Sequence, residues 1–359
     1  MRGSRLKISV VITSYNYERY IGLAIESVLG QTRPVDEIIV IDDGSTDNSR
    51  TVISSYADKI RAIFKDNEGN KVATNRGFQE TAGDVILFLD ADDLLYARAI
   101  EMVENHWLSG AAKIQFDLDV IDEAGRQLNR RFCNFNSDIT PQQTNRQFER
   151  TGTYVWPVTS GNAYARSFLE RILPMMPPVS HDGVLNTIAP IYGAIITIPQ
   201  ALGQYRLHGR NLSRTDSEGR HKRFPDFARQ IAFRRGEFDL LRQHAAALGV
   251  ALPKGNFLDG ELVFVNYRLM TMKLGQKYVG MEDDSLAALW YSGMTLALCQ
   301  QMTLRSKLAN IIWLSAILVS PRFLVANLIL LRFNRAGIFS SFRNSVSKIF
   351  GRVGAGSAG

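Results

Sequence analysis

An α/β fold built on a mostly parallel, doubly wound sheet is predicted by three observations in the first 100 residues. Strand-like runs recur at Ile8–Ile12, Glu37–Ile41, Arg61–Lys65 and Val85–Leu89. Segments of helical period separate them. The last run has no polar alternation, as expected of a strand covered on both faces.

The elements follow in order. After Ile8–Ile12, the residues Ile21, Ala24, Ile25, Val28 and Leu29 repeat at helical spacing. Glu37–Ile41 leads into Ser45-Thr46-Asp47, which can cap a helix carrying Val52, Ile53 and Tyr56. Beyond the strand Arg61–Lys65, the stretch Lys71–Ala82 reads as a helix with Val72 and Phe78 inward and Gly83 past its end. The pattern then changes: Ile114, Phe116, Leu118 and Val120 alternate, and Asp122–Arg126 supplies a turn, so a hairpin edge is predicted. Residues 150–215 are rich in Pro and Gly and read as irregular. From about 222 to 300, helical patterns such as Phe238/Leu241/Ala245/Leu248 dominate.

A chain of 359 residues with 45% apolar content accommodates one main domain and an appendage. Cys133 and Cys299 are the only cysteines, which excludes a disulfide framework or a cysteine zinc site and fits a reducing compartment. Met1–Lys7 is polar and basic with no apolar stretch, so no secretory signal is expected. The net charge of +7 resides in one place: residues 301–359 hold eight Lys/Arg and no acidic residue. The remaining 300 residues carry 34 basic and 35 acidic groups, which argues against a nucleic-acid partner.

Chemistry concentrates at two strand ends. In open α/β sheets, ligands bind at the carboxyl ends of the parallel strands. Here Ile38–Ile41 delivers Asp42-Asp43-Gly44-Ser45, and Val85–Leu89 delivers Asp90-Ala91-Asp92-Asp93. Five carboxylates at one end of a sheet repel one another, so a compensating divalent cation is expected, Mg²⁺ or Mn²⁺ with substrate phosphate. A helix-capping turn explains the first motif about as well. It explains one aspartate of the second and leaves two without a reason.

The chain resembles glycosyltransferase family 2, whose fold is called GT-A. The resemblance rests on an ordered series: Val10–Asn16, Ala24–Thr32, Val40–Asp47, Asn67-Glu68-Gly69 with Asn75-Arg76-Gly77, Ala82-Gly83-Asp84, Phe88–Asp93, Ser160-Gly161-Asn162, Asp182-Gly183 and Tyr205–Ser213. The segment Gly69–Asn75 departs from the pattern of many relatives.

The resemblance implies a GT-A sheet, Rossmann-like, mostly parallel, twisted and flanked by helices. It also implies an inverting transferase that uses a nucleotide sugar. Thr13, Tyr15 and Asp42 or Asp43 would hold the nucleotide base and ribose, and Asp90 would reach the ribose. Asp92 would bind the metal on the diphosphate, in the Asp-X-Asp manner, with His208 as a further ligand. Asp182 would be the general base, and Ser160, Gly161 and Asn162 would line the acceptor side. Arg206 could bind phosphate or pair with a carboxylate. A sugar nucleotidyltransferase would need a Gly-rich, Lys/Arg-bearing loop after the first strand, and Thr13–Tyr17 is no such loop. A catalytically dead glycan-binding scaffold is disfavoured by the presence of Asp92, Asp182 and His208.

The appendage has its own pattern. Leu308–Leu331 contains Arg322 as its only charge and is broken by Ser320-Pro321-Arg322 into apolar pieces of 12 and nine residues. A spanning helix needs about 20 apolar residues. Two short basic amphipathic helices lying in a membrane interface are therefore expected, against a spanning helix or a buried hairpin as alternatives. The expected layout is a catalytic domain at 1–220, a helical region at 221–300, a membrane-associating segment at 301–350 and a disordered tail at 351–359. The expected partners are a nucleotide-sugar donor, a glycan or polyprenyl-linked saccharide acceptor and a membrane surface. The chain would then sit in the cytoplasm, bound peripherally to the inner face of the cell membrane.

Overall fold

The computed structural model describes residues 5–175, 181–208, 226–299 and 303–333. The tail beyond 333 and the motif residues Gly209–Ser213 lie outside the described residues. The chain divides into two compact units, one formed by Met1–His208 with Phe233–Phe257, the other by Gly209–Ala232 with Leu258–Gly359.

The first unit opens with the expected alternation: β1 (Ile8–Ser14), α1 (Ile21–Leu29), β2 (Glu37–Asp43), α2 (Ser49–Ser54), β3 (Arg61–Lys65), α3 (Asn70–Gln79) and β4 (Val85–Asp90). β1 pairs in parallel with both β2 and β4, and β2 pairs in parallel with β3. The order β3-β2-β1-β4 reverses direction at β1, so a crevice opens at the carboxyl ends of β1 and β4. Ile8, Val10 and Ile12 face a core with Ile21, Ala24, Ile25 and Val28 of α1.

The sheet then becomes mixed. The short β5 (Leu94–Leu95), α4 (Ala99–His106), β6 (Ala111–Asp122), β7 (Gln127–Arg131) and α5 (Pro141–Thr151) follow. α5 opens on a capping box between Thr140 and Gln143. After it come β8 (Asn162–Ala165), α6 (Arg166–Ile172), α7 (His181–Ile188), β9 (Ala194–Leu207) and α8 (Phe227–Leu248). The full order is β3-β2-β1-β4-β8-β6-β9-β5, with β7 on β6 as the expected hairpin.

Two features depart from the sequence reading. Lys113, Gln115 and Asp117 lie between the apolar positions of β6, where alternation implies a solvated face, and yet all three are fully buried. Each has polar partners there: Asn162 and Asn186 for Lys113, the Val155 carbonyl and Thr197 for Gln115, the Cys133 and Phe135 amides for Asp117. The second departure is β9, a 14-residue strand in a region read as irregular. It contains Pro199, which cannot donate to a ladder. The register with β6 shifts just there, from Phe116 opposite Ile198 to Asp117 opposite Ala201, so the strand bulges around it.

The second unit is helical. Its described helices beyond α8 are α9 (Leu262–Lys273), α10 (Leu286–Cys299), α11 (Leu304–Val319) and α12 (Arg322–Phe333). They enclose a core of Val265, Leu269, Leu289, Leu314, Ile317, Val325 and Ile329. Arg268 is buried in it and held by Asp259 at 2.6 Å and by Asp284. The break between α11 and α12 falls at Ser320-Pro321, as the sequence predicts. Among the described residues no helix is long and apolar enough to cross a membrane.

Candidate active site

The crevice is lined first by the ends of β1 and β2. Register places Thr13 beside Asp90 and Ser14 beside Asp42, so strand alternation puts these two pairs on opposite faces of the sheet. Tyr15 follows β1 and is 44% exposed, which leaves its ring available for stacking. Asn16 takes a left-handed φ of 58°, and its side-chain oxygen accepts from the Thr46 amide at 2.7 Å. This ties the turn after β1 to the loop after β2. Gly44 in that loop has φ +79°, and a Cβ there would lie 2.5 Å from the Asn67 nitrogen. Only glycine fits.

The two carboxylates of that loop are not equivalent. Asp43 accepts from the Glu68 and Gly69 amides at 3.0 and 2.8 Å and from Lys65 at 2.6 Å. It holds the loop before α3. Asp42 accepts from the Ser45 amide and Arg50 through Oδ1, while its buried Oδ2 has no hydrogen-bond partner, and neither has the buried Ser14 Oγ. An unmet acceptor is what the N3–H of a pyrimidine base would use.

The second cluster lies at the end of β4. Asp93 is fully buried; its carboxylate accepts from Ser160 Oγ at 2.6 Å and from the Arg206 amide at 2.9 Å. Ser160 Oγ in turn accepts from the Asp90 amide at 3.1 Å. Asp93 and Ser160 thus clasp β4, the turn before β8 and the end of β9. His208 Nε2 donates to Asp92 Oδ2 at 2.7 Å. The His208 ring stacks on Tyr20 at 5.4 Å and meets Tyr17 edge-on at 5.8 Å. Arg206 donates to the Asp92 carbonyl and lies over the Tyr20 ring.

Crowding and burial of charge shift these groups. Burial, with the charges of Asp92 and Asp182, pushes the Asp90 carboxyl up to about 8. Asp93 is also raised, by burial and by Asp92 and Asp90. Burial and the same three aspartates raise the Tyr17 hydroxyl. A divalent cation would relieve this repulsion. Asp92 and His208 present one carboxylate oxygen and one imidazole nitrogen side by side, and no group of three such side chains is arranged to hold a metal among the described residues. A cation here would take the Asp92 carboxylate and, once it displaces the proton that His208 Nε2 donates to that carboxylate, the imidazole, with substrate phosphate and water in its remaining positions.

Asp182 stands in the first turn of α7, with the Gly183 amide donating to Oδ1 at 2.9 Å and Asn186 Nδ2 to its carbonyl at 2.8 Å. Ser160, Gly161 and Asn162 are buried in the turn that enters β8. Asn162 is bonded to Lys113 at 2.7 Å and to the Val158 carbonyl at 2.8 Å. The structure therefore brings Asp90, Asp92, Asp93 and His208 together at the end of β4, with Asp182 near enough for its charge to raise the Asp90 carboxyl. Thr13, Tyr15 and Asp42 line the adjoining strand ends.

Some residues here were not found by sequence reasoning. Tyr17 and Tyr20 frame His208, and the tyrosine-rich run after β1 was the available signal. Lys113 joins Asn162 to Asn186, while Arg234 and Glu237 of α8 support α7 beside Thr187 and Gly183. No local pattern announces those.

His181 yields a stability prediction. It is buried edge-on against Phe88 at 5.1 Å, its Nε2 lacks a partner, and burial pulls its pKa from 6.5 to about 4, with Asp182 opposing and Lys71 adding to the shift. The unfolded chain takes up this proton near pH 6.5 and the folded chain only near 4, so stability falls as pH drops through that window. Between pH 8 and 5, His181→Phe should lose about 2 kcal/mol less than the parent. Asp90 and Asp93 shift oppositely in both proteins and cancel in the difference. Urea unfolding at the two pH values measures it; equal losses would remove His181 as the cause.

Residues 9–173 match the family described as Glycosyl transferase family 2. An uncharacterized glycosyltransferase of Nostoc sp. is 36% identical over 214 residues, covering 57% of this chain and 66% of that protein. An uncharacterized glycosyltransferase of Rickettsia felis is 39% identical over 144 residues, covering 38% of this chain and 23% of that protein. The chain thus spans less than two thirds of either of these relatives. Among solved structures, Staphylococcus aureus TarS aligns with a TM-score of 0.50 at 16% identity, covering 86% of this chain and 55% of that one. At that identity the likeness speaks for the fold alone.

Proposed function

The chain belongs to glycosyltransferase family 2, and from that membership we propose that it transfers a sugar from a nucleoside diphosphate, a UDP-sugar, to a hydroxyl of a glycan or polyprenyl-linked saccharide in surface polysaccharide synthesis. The observation that carries this reading is the meeting of Asp90, Asp92, Asp182 and His208 at the crevice beside β1 and β4.

The residues divide the work. Tyr15 offers its ring to the base, with Thr13 beside it, and Asp42 Oδ2 accepts the base N–H. Asp43 keeps the surrounding loop in place, and Asp90 receives a ribose hydroxyl. Asp92 and His208 hold Mg²⁺ or Mn²⁺, which when bound supplies Lewis-acid neutralisation of the departing diphosphate. The acceptor enters on the side of the Ser160-Gly161-Asn162 turn. Asp182 takes the proton from its hydroxyl as the oxygen forms a bond to the anomeric carbon and the bond to the diphosphate breaks on the opposite face. That displacement inverts the anomeric centre. The basic C-terminal segment holds the enzyme peripherally on the inner face of the cell membrane, where a lipid-linked acceptor resides.

A screen of nucleotide sugars for release of the nucleoside diphosphate tests the reading. One donor should be hydrolysed with Mn²⁺ and spared when the metal is chelated. Equal release with and without metal, or none from any donor, would overturn it.

A further inference from the structure

On α11 the exposed apolar side chains fall on one side, and α12 adds the exposed Phe323, Leu324 and Leu331. On α11, Leu304, Leu308, Ile312 and Val319 are between 49% and 77% exposed. At about 100° per residue they fall within an arc of about 80°, and the buried Leu314 and Ile317 lie opposite. Beyond the Ser320-Pro321 corner, Phe323 is exposed as well. Arg305 and Arg322, both exposed, stand near the two ends of the stripe. No Asp or Glu occurs between residues 303 and 333.

The alternative of a buried hairpin accounts for the inner face, which packs into the helical core, and leaves the outer stripe without an occupant among the described residues. A second copy would set Arg305 and Arg322 against an acid-free surface like their own, and like charge disfavours that contact. An anionic lipid surface matches both properties, since its headgroups pair with the arginines and its acyl boundary takes the apolar stripe. Length decides how the helix lies. The 16 residues of α11 rise about 24 Å, short of the roughly 30 Å hydrocarbon core.

We propose that α11 and the corner after it lie flat on an anionic membrane. Leu304, Leu308, Ile312, Val319 and Phe323 point into the headgroup–acyl boundary, and Arg305 and Arg322 sit at phosphate level. This rests on the reading of peripheral membrane binding and names the face that performs it.

The full chain and its variants are sedimented with vesicles of phosphatidylcholine and phosphatidylglycerol. The parent should bind, more weakly in high salt without being released. The double variant Leu308→Glu, Ile312→Glu should lose roughly tenfold or more of its partition. Val279→Glu, exposed outside the stripe, should bind as the parent does. Circular dichroism and the thermal midpoint of each variant separate lost binding from lost folding, and if the double variant unfolds, Ile312→Glu alone is read. A parent that ignores the vesicles sinks the membrane reading and the face together. A parent that binds alongside a folded Ile312→Glu variant that binds equally sinks the face alone. If Ile312→Glu turns a dimer into a monomer with vesicle binding unchanged, the stripe is a self-contact and the proposal falls.

Discussion

Asp92→Asn should lower metal-dependent turnover on the order of 10²–10³-fold while the fold survives. The amide keeps the shape of the carboxylate and can still accept from His208, whose Nε2 lies 2.7 Å from Asp92 Oδ2. What it loses is the charge that a divalent cation needs. The charge of Asp92 is also one reason why Asp90, Asp93 and Tyr17 titrate high, so its removal relieves repulsion inside a buried cluster. Without metal the variant should therefore melt no lower than the parent. Added Mn²⁺ together with the nucleoside diphosphate should raise the midpoint of the parent and leave the variant unmoved. Near-normal turnover with unchanged metal dependence would remove Asp92 from the metal site.

The second large effect separates acceptor from donor chemistry. Asp182→Ala should reduce sugar transfer by about 10²–10⁴-fold, the usual contribution of a positioned general base. Donor affinity should hold, because a base acts on the acceptor hydroxyl. The fold should hold too: the bond from Asn186 to residue 182 goes to the backbone carbonyl, which alanine retains. Asp182 is one of the charges that raise Asp90, so the variant leaves Asp90 easier to ionise and gives no reason for weaker donor binding. Calorimetric titration with UDP and Mn²⁺ reads this directly. An affinity that collapses with activity would assign Asp182 to the donor site or to the fold.

The parts legible in the sequence were those with a local signature. The parallel half of the sheet showed itself because each strand carries its own apolar run and each helix its own period, from Ile8 to Asp90. The carboxylates at the ends of β2 and β4 were legible because a strand end is also a sequence position. The helical break at Ser320-Pro321 was legible because proline acts locally. The far half was harder. β9 hides behind Pro199 and Gly203, and only its pairing with β6 makes it a strand. Asp93 and Ser160 are 67 residues apart, and so their clasp leaves no pattern in either neighbourhood. The unequal duties of Asp42 and Asp43 were also illegible, because they depend on which amides the loop 67–69 presents.

The buried amine of Lys113 constrains how this protein can change. It is held between the side-chain oxygens of Asn162 and Asn186, with the rings of Tyr154 and Tyr164 beside it, and burial holds its pKa well below that of an ordinary lysine. Replacing any one of the three by an apolar residue strands the polar groups of the other two in the interior, where an unmet partner destabilises by about 1–3 kcal/mol. Replacing all three together still strands the Val158 and Asp182 carbonyls and the Tyr164 hydroxyl, which bond to the two asparagines. Single-residue steps at 113, 162 and 186 therefore lead downhill from the present arrangement. A lineage or a mutagenesis library that samples these positions one at a time will find them fixed, and a joint substitution also has to re-satisfy the groups that the two asparagines hold.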